Sequence, residues 1–116
     1  MPDPVGTHVL IDLYDATDLG DACLPMLRDV AETAGLTIMK ESEHIFEGGG
    51  RTAFLVLGES HTSIHTWPEA KTIYFDLFSC RKLDPEAITR VMSLVMDRTK
   101  SRDTKIRITD RGKNAP

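Results

Sequence analysis

Alternating apolar and polar residues divide the chain into six predicted β-strands and two predicted helices. The strand segments are short alternating or apolar runs that end near glycine, proline or aspartate. The helical segments carry apolar residues at helical spacing, and Asp84-Pro85 supplies the N-cap carboxylate and the proline that begin many helices. The predicted strands cover residues 7–14, 36–46, 51–57, 60–67, 71–80 and 104–108, and the helices cover 21–34 and a segment from residue 84.

This order of elements, β-α-β-β-β-β-α-β, predicts an α+β fold. Its natural arrangement is a two-layer sandwich in which an antiparallel sheet carries both helices on one face. The other face should also be covered, because Phe54, Val56, Tyr74 and Phe78 would lie there, and a solvated face would alternate toward polar residues. A second copy of the chain is the simplest cover, so we expect a homodimer that forms through the sheets.

Length and composition predict a single domain that spans residues 1–116. The hydrophobic fraction of 41% and the charged fraction of 28% are those of an ordinary globular protein. A net charge of −4 without a basic patch argues against a nucleic-acid partner. The sequence has no apolar run of about 20 residues and no signal peptide, so we expect no membrane association and a cytoplasmic location, where Cys23 and Cys80 stay reduced.

The segment 58–69, Gly-Glu-Ser-His-Thr-Ser-Ile-His-Thr-Trp-Pro-Glu, concentrates reactive side chains directly after an apolar strand. A serine-hydrolase elbow would need glycine where Thr62 stands, so that interpretation fails. His61, His65 and Glu69 have the spacing of metal ligands on a helix, but the residue types favour a strand, which would separate them, and we expect no metal. A half-buried structural strand with hydrogen-bonded histidines is the plain alternative.

Self-processing is a further interpretation of the same segment. The hydroxyl of Ser60 can attack the carbonyl of Glu59 and convert the peptide bond into an ester, and β-elimination followed by hydrolysis then yields a pyruvoyl group and ammonia. The reaction needs a strained or polarised bond, groups that bind the oxyanion, and a base, for which His65 is suited because imidazole titrates near neutral pH. Strict alternation puts Ser60 and His65 on opposite faces, so we expect a bulge or a turn where this strand begins.

The motif that begins at Glu59, Glu-Ser-His followed by Ile-His-Thr-Trp-Pro-Glu, resembles the processing site of the short prokaryotic S-adenosylmethionine decarboxylases. The resemblance implies a proenzyme that cleaves itself before Ser60 and converts that residue into its pyruvoyl cofactor. It also implies that His65 assists processing and that Cys80 is the catalytic proton donor. The amine of S-adenosylmethionine would form a Schiff base with the pyruvoyl group, and the product would supply aminopropyl groups for spermidine synthesis.

The same resemblance extends over residues 6–108 and assigns further roles. Thr52 would support processing through its hydroxyl, Phe46 would stack on the adenine of the substrate, and Glu69 would bind the ribose hydroxyls. Arg81 departs from the family pattern, which usually has a small residue after the catalytic cysteine. This departure affects the shape of the pocket and removes no reactive group.

Cleavage would divide the protein into two chains, residues 1–59 and 60–116. Two alternatives stay open at this point. A pyruvoyl enzyme of this kind could act on arginine or ornithine instead, or the chain could be a non-processing partner that regulates a dimer. His8, His44 and His61 have no assigned role and are interpreted as structural.

Overall fold

The computed structural model describes residues 3–116 and shows one six-stranded antiparallel sheet with two α-helices. The elements follow the predicted order, so the expected α+β class is confirmed. The strands are β1 (Val5–Tyr14), β2 (Ile38–Ile45), β3 (Arg51–Leu57), β4 (Ser60–Trp67), β5 (Thr72–Ser79) and β6 (Asp103–Gly112). The helices are α1 (Cys23–Thr33) and α2 (Pro85–Thr99).

The strand order in the sheet is β2-β3-β4-β5-β1-β6. Strands β2 to β5 follow one another as antiparallel neighbours, and β1 lies between β5 and β6. The β3–β4 turn and Cys80 therefore meet at one end of the sheet, which we call the Ser60 end. The β2–β3 loop and the β4–β5 connection meet at the opposite end, which we call the Trp67 end.

Both helices pack on one face of the sheet, as the sequence predicts. Pro25 stands in the first turn of α1, where no backbone donor is required, and the side chain of Asp84 caps α2 by accepting the N–H of Ala87 at 2.9 Å. Strand residues beneath the helices that are no more than 2% exposed include Val9, Ile11, Leu55, Ile64, Phe75 and Leu77. Within residues 3–116, no helix is long and apolar enough to cross a membrane.

The last strand is longer than the sequence predicts. The sequence predicts a strand over 104–108, whereas β6 runs from Asp103 to Gly112 and pairs with the whole of β1. Most residues of β6 are exposed and many are charged, so apolar periodicity marks only its middle. Pairing with β1, and not the pattern of the segment itself, determines its length.

We call the helix-free face of the sheet the open face. Phe54, Tyr74 and Phe78 lie on it, as predicted, and Tyr74 is 39% exposed. The expectation of a largely apolar face is only partly correct, because polar side chains stand between these aromatic residues. They include His8, Asp12, His61, Ser63, His65 and Asp76.

Candidate active site

The turn between β3 and β4 holds the predicted cleavage bond. Gly58 and Glu59 form a tight turn at the start of β4, where the sequence predicts a turn or a bulge. Directly after the neighbouring strand β5, the backbone N–H of Cys80 donates a hydrogen bond to the carbonyl oxygen of Glu59 at 2.7 Å. The bond between Glu59 and Ser60 therefore lies directly beside Cys80.

The backbone at Ser60 has an unusual conformation. Its φ is +152°, in a region that residues other than glycine rarely occupy and that costs about 1–3 kcal/mol. The N–H of Cys80 also polarises the carbonyl of Glu59, on the oxygen that would become negative if Ser60 attacked it. The turn thus combines backbone strain at the serine with a donor for the oxyanion.

A cavity of about 420 Å³ opens at the Trp67 end of the sheet, beside the β2–β3 loop. Phe46, Thr52, His65 and Glu69 all line it, so four of the predicted residues share one site. The hydroxyl oxygen of Thr52 lies 3.0 Å from Nδ1 of His65, and this hydrogen bond orients the imidazole. Phe46 is 51% exposed, which leaves a ring face available for stacking.

The β2–β3 loop contributes more to this cavity than the sequence predicts. Gly48 and Gly50 of this loop line it, as does Trp67 at the end of β4. Gly50 has to approach β4 closely, because a Cβ atom there would lie 2.9 Å from the carbonyl oxygen of Thr66. The sequence pattern indicated no role in the site for these glycines, although their position within four residues after Phe46 was a usable signal.

The two groups of predicted residues lie at opposite ends of the sheet. Ser60 and His65 are five positions apart in one continuous strand, which separates their Cα atoms by about 17 Å. An imidazole has to be within hydrogen-bond reach of a serine hydroxyl to take its proton. Within one chain, His65 is therefore too far away to act as the base for Ser60, and the turn at the start of β4 does not bring the two together.

A hydrogen-bond network that sequence reasoning missed lies in the open face. Asp76 accepts from His8 Nε2 at 2.8 Å and from His61 Nε2 at 3.0 Å, and the hydroxyl of Ser63 donates to its other oxygen. Burial alone would raise the pKa of Asp76, but these hydrogen bonds outweigh it and hold the pKa below its ordinary value. The four residues come from three strands, so only the register of the sheet reveals them.

His8, His61 and Asp76 are close enough together to hold a metal ion, but the structure favours hydrogen bonding. Their ligand atoms are already paired with one another, and the guanidinium of Arg111 adds positive charge 3.4 Å from His8 Nδ1. The helical metal spacing considered for His61 and His65 does not apply, because β4 separates the two residues by about 13 Å.

Comparison with known proteins identifies the family. A family model described as S-adenosylmethionine decarboxylase matches residues 7–112. The chain is therefore a member of a decarboxylase family of lyases. It belongs to the S-adenosylmethionine decarboxylase family, and the resemblance drawn from its motif is confirmed.

Similar proteins come from bacteria and archaea. A protein of Hydrogenobaculum sp. named S-adenosylmethionine decarboxylase proenzyme is 32% identical over 116 residues, which cover 97% of this chain and 85% of that protein. A proenzyme of the same name from Methanococcus aeolicus is 37% identical over 87 residues, or 71% of this chain and 74% of that protein. The crystal structure of adenosylmethionine decarboxylase from Aquifex aeolicus has a TM-score of 0.79 and 27% identity, and the match covers 96% of this chain and 93% of that one.

Replacing Asp76 with asparagine should lower the free energy of unfolding by about 1–3 kcal/mol at neutral pH, because three donors lose an ionised acceptor. The folded pKa of Asp76 lies below the unfolded value of about 3.9, so the stabilisation is present above that value and is lost as the pH falls through the folded pKa. Urea denaturation of both proteins from neutral pH to about pH 3 measures the difference. A difference that stays constant over this range contradicts the prediction.

Proposed function

We propose that this protein is a proenzyme that cleaves itself between Glu59 and Ser60 and then decarboxylates S-adenosylmethionine. The hydrogen bond from the Cys80 N–H to the carbonyl oxygen of Glu59, at 2.7 Å, carries the proposal. It provides a donor to the oxygen that becomes negative when Ser60 attacks, in the turn where Ser60 has its unusual φ. Membership of the family and the proenzyme names of the relatives support it.

Self-cleavage needs only groups of the protein and water. The Oγ atom of Ser60 bonds to the carbonyl carbon of Glu59, the C–N bond breaks, and the nitrogen of Ser60 gains the proton that Oγ loses. Removal of the Cα proton of residue 60 then expels the carboxylate of Glu59 and leaves dehydroalanine. Water replaces the nitrogen with a keto oxygen and releases ammonia. The residues fit this product, because the turn holds a hydroxyl, the preceding carbonyl and an oxyanion donor together.

A pyruvoyl group at residue 60 supplies the electron sink that decarboxylation needs. Cys80 lies beside that residue with an exposed side chain, so its Sγ can hold the proton that replaces carbon dioxide on the substrate carbon. Phe46 offers an exposed ring to the adenine, and Glu69 offers a carboxylate to the ribose hydroxyls in the same cavity. The product would supply aminopropyl groups for spermidine synthesis.

Two copies of the chain complete this site. Thr52 and His65 are hydrogen-bonded to each other, but they lie at the opposite end of the sheet from Ser60. When two copies stack open face to open face about a two-fold axis that runs between the sheets and across the strands, the Ser60 end of each sheet faces the Trp67 end of the other. His65 of the partner subunit then lies at the Ser60 end of this sheet, where it can act as the base for Ser60.

The open face suits such an interface. Trp67, Tyr74 and Val56 are 41%, 39% and 39% exposed, and aromatic residues are enriched in protein interfaces. Charged groups on the face have partners within the chain, as in the ion pair of 3.6 Å between Asp12 and Arg107. Such pairing lowers the cost of removing these charges from water. The assembly that these features favour is a homodimer with two shared active sites.

Mass spectrometry of freshly purified protein should show two chains, residues 1–59 and 60–116, with a keto group at the start of the second. The Ser60→Ala variant should stay a single chain of 12.9 kDa without decarboxylase activity, because alanine has no hydroxyl. Ser93→Ala, at an exposed position of α2, is the matched control and should cleave like the wild type. An intact wild-type chain that still releases carbon dioxide rules the proposal out. An intact chain without that activity favours the non-processing regulatory partner.

Mixed dimers test the shared site. The Ser60→Ala and His65→Ala variants should each remain uncut alone, whereas co-expression should restore cutting of the His65→Ala chain, whose Ser60 then meets the partner's His65. The control pairs His65→Ala with the double variant Ser60→Ala/His65→Ala, which supplies no histidine and should leave both chains intact. Mixed dimers that remain uncut, or a His65→Ala variant that cuts itself at the wild-type rate, argue against a shared site.

Carbon dioxide release should be faster from S-adenosylmethionine than from arginine or ornithine. The two amino acids have neither an adenine to stack on Phe46 nor ribose hydroxyls to bind Glu69. Glu69→Gln should raise KM for S-adenosylmethionine about tenfold with a smaller effect on kcat, since one charge-assisted hydrogen bond is lost. Glu86→Gln, at an exposed position of α2, should leave KM unchanged. Faster release from arginine or ornithine would instead favour the alternative substrates.

A further inference from the structure

We propose that Thr37 and the side chain of Glu59 form a clamp that holds the cleavage bond in its reactive conformation, which makes Thr37 a positioning residue for self-cleavage. The inference rests on the self-cleavage proposed above. Thr37 lies directly before β2 and outside the motif of residues 59–69, so neither the motif nor the cavity points to it. Its contacts do.

Three hydrogen bonds tie Thr37 to the β3–β4 turn. Its backbone N–H donates to Oε1 of Glu59 at 2.9 Å, and its hydroxyl donates to Oε2 at 3.3 Å. Its carbonyl oxygen accepts the N–H of Gly58 at 2.8 Å. Thr37 therefore uses its backbone donor, its backbone acceptor and its side chain on the two residues that precede the cleavage bond.

The chain around Thr37 is shaped to reach this turn. After α1, Gly35 adopts a φ of +69°, which ends the helix and redirects the chain toward the sheet. The register between β2 and β3 then shifts between Ile38 and Lys40, which marks a bulge at the start of β2. Bulges re-aim nearby groups and are frequent beside reactive sites. The clamp is thus built largely from backbone groups whose positions the fold determines.

Electrostatics strengthens the clamp. The backbone N–H of Thr37 lowers the pKa of Glu59, burial opposes this effect, and the hydroxyl of Thr37 and the charge of Arg81 lower the pKa further. The guanidinium of Arg81 is held in turn by the carbonyl oxygen of Gly35 at 3.1 Å. Glu59 is therefore ionised at neutral pH, and an ionised acceptor makes hydrogen bonds about twice as strong as a neutral one does.

The clamp preserves two features that the attack of Ser60 needs. Thr37 holds Glu59 by its side chain while the N–H of Cys80 holds its carbonyl oxygen, so the peptide unit before Ser60 is fixed from two directions. The same contacts keep the turn from relaxing, and relaxation would release the unusual φ of Ser60. Without the clamp, the hydroxyl and the carbonyl carbon would be less often in the reactive arrangement, and cleavage would slow.

The test times cleavage of the full-length chain by mass spectrometry after cell-free synthesis. Glu59→Ala removes both side-chain hydrogen bonds and should slow cleavage about tenfold or more. Glu59→Gln keeps an amide oxygen for the N–H of Thr37 and should recover part of the rate. Thr37→Val loses only the longer hydrogen bond and should slow cleavage about threefold, whereas Thr37→Ser should cleave at the wild-type rate.

Combining the variants separates positioning from general destabilisation. In the Glu59→Ala background, Thr37→Val should have no further effect on the rate, because the two residues act as one unit. Thr89→Val removes a threonine hydroxyl bonded within α2 and is the matched control, with no expected change in cleavage. A wild-type rate for Glu59→Ala, or rate effects of the two substitutions that simply multiply, overturns the clamp. If the wild-type chain itself never cleaves, the result contradicts the proposed self-cleavage as well as the clamp, so the two failures can be told apart.

Hydroxylamine identifies the step that the clamp assists. It cuts esters much faster than amides, so it speeds cleavage only when the ester between residues 59 and 60 has already formed. Because the clamp acts on the attack that forms this ester, hydroxylamine should leave the slow cleavage of Glu59→Ala unchanged. Recovery of the wild-type rate with hydroxylamine would mean that the ester forms normally in the variant, which contradicts the proposed role of Thr37.

Discussion

The register between β4 and β5 determines where the reactive groups of this protein lie. Because Ser60 pairs with the last residue of β5, the N–H of the following residue, Cys80, falls on the carbonyl oxygen of Glu59. A slip of one residue would remove this donor and turn every side chain of the strand to the other face. Buried pairs such as Ile64 and Phe75 prevent the slip, because they would lose their contacts with the helices. The hydrophobic core thereby determines the position of the Glu59–Ser60 peptide bond beside Cys80.

The two faces of the sheet serve different purposes. The face beneath the helices is apolar and buried, and it accounts for most of the stability of the fold. The open face carries the network around Asp76 and the hydrogen-bonded pair of Thr52 and His65. A single chain leaves aromatic residues of this face partly exposed and keeps His65 about 17 Å from Ser60 along β4. A second copy stacked on the open face would cover the aromatic residues and, in the same contact, bring its His65 to the Ser60 end of the first sheet.

Local signals explain which features could be predicted from the sequence. The start of α2 is marked by Asp84 and the proline after it, and the motif around Ser60 identifies the family before any contact is known. The sheet order, the length of β6 and the Asp76 network carry no local signal, since His8 and Asp76 are 68 positions apart in the chain. The motif predicts a role for His65 in processing, but it carries no information about distance, and the straight strand β4 separates His65 from Ser60 of the same chain by about 17 Å.

The strand order also determines how the two pieces would be held together if the chain is cut before Ser60 as proposed. The first piece would contain β1, yet β1 lies between β5 and β6 of the second piece. The strands of the two pieces would therefore be interleaved in one sheet. The pieces could separate only if β1 lost its hydrogen bonds to both β5 and β6 and β3 lost those to β4. An uncut chain closes this arrangement within one molecule, whereas separate pieces would first have to find each other in solution. If the chain is cleaved as proposed, the intact precursor is therefore the form that folds, and the cleaved form would keep an architecture that its two pieces could not readily rebuild.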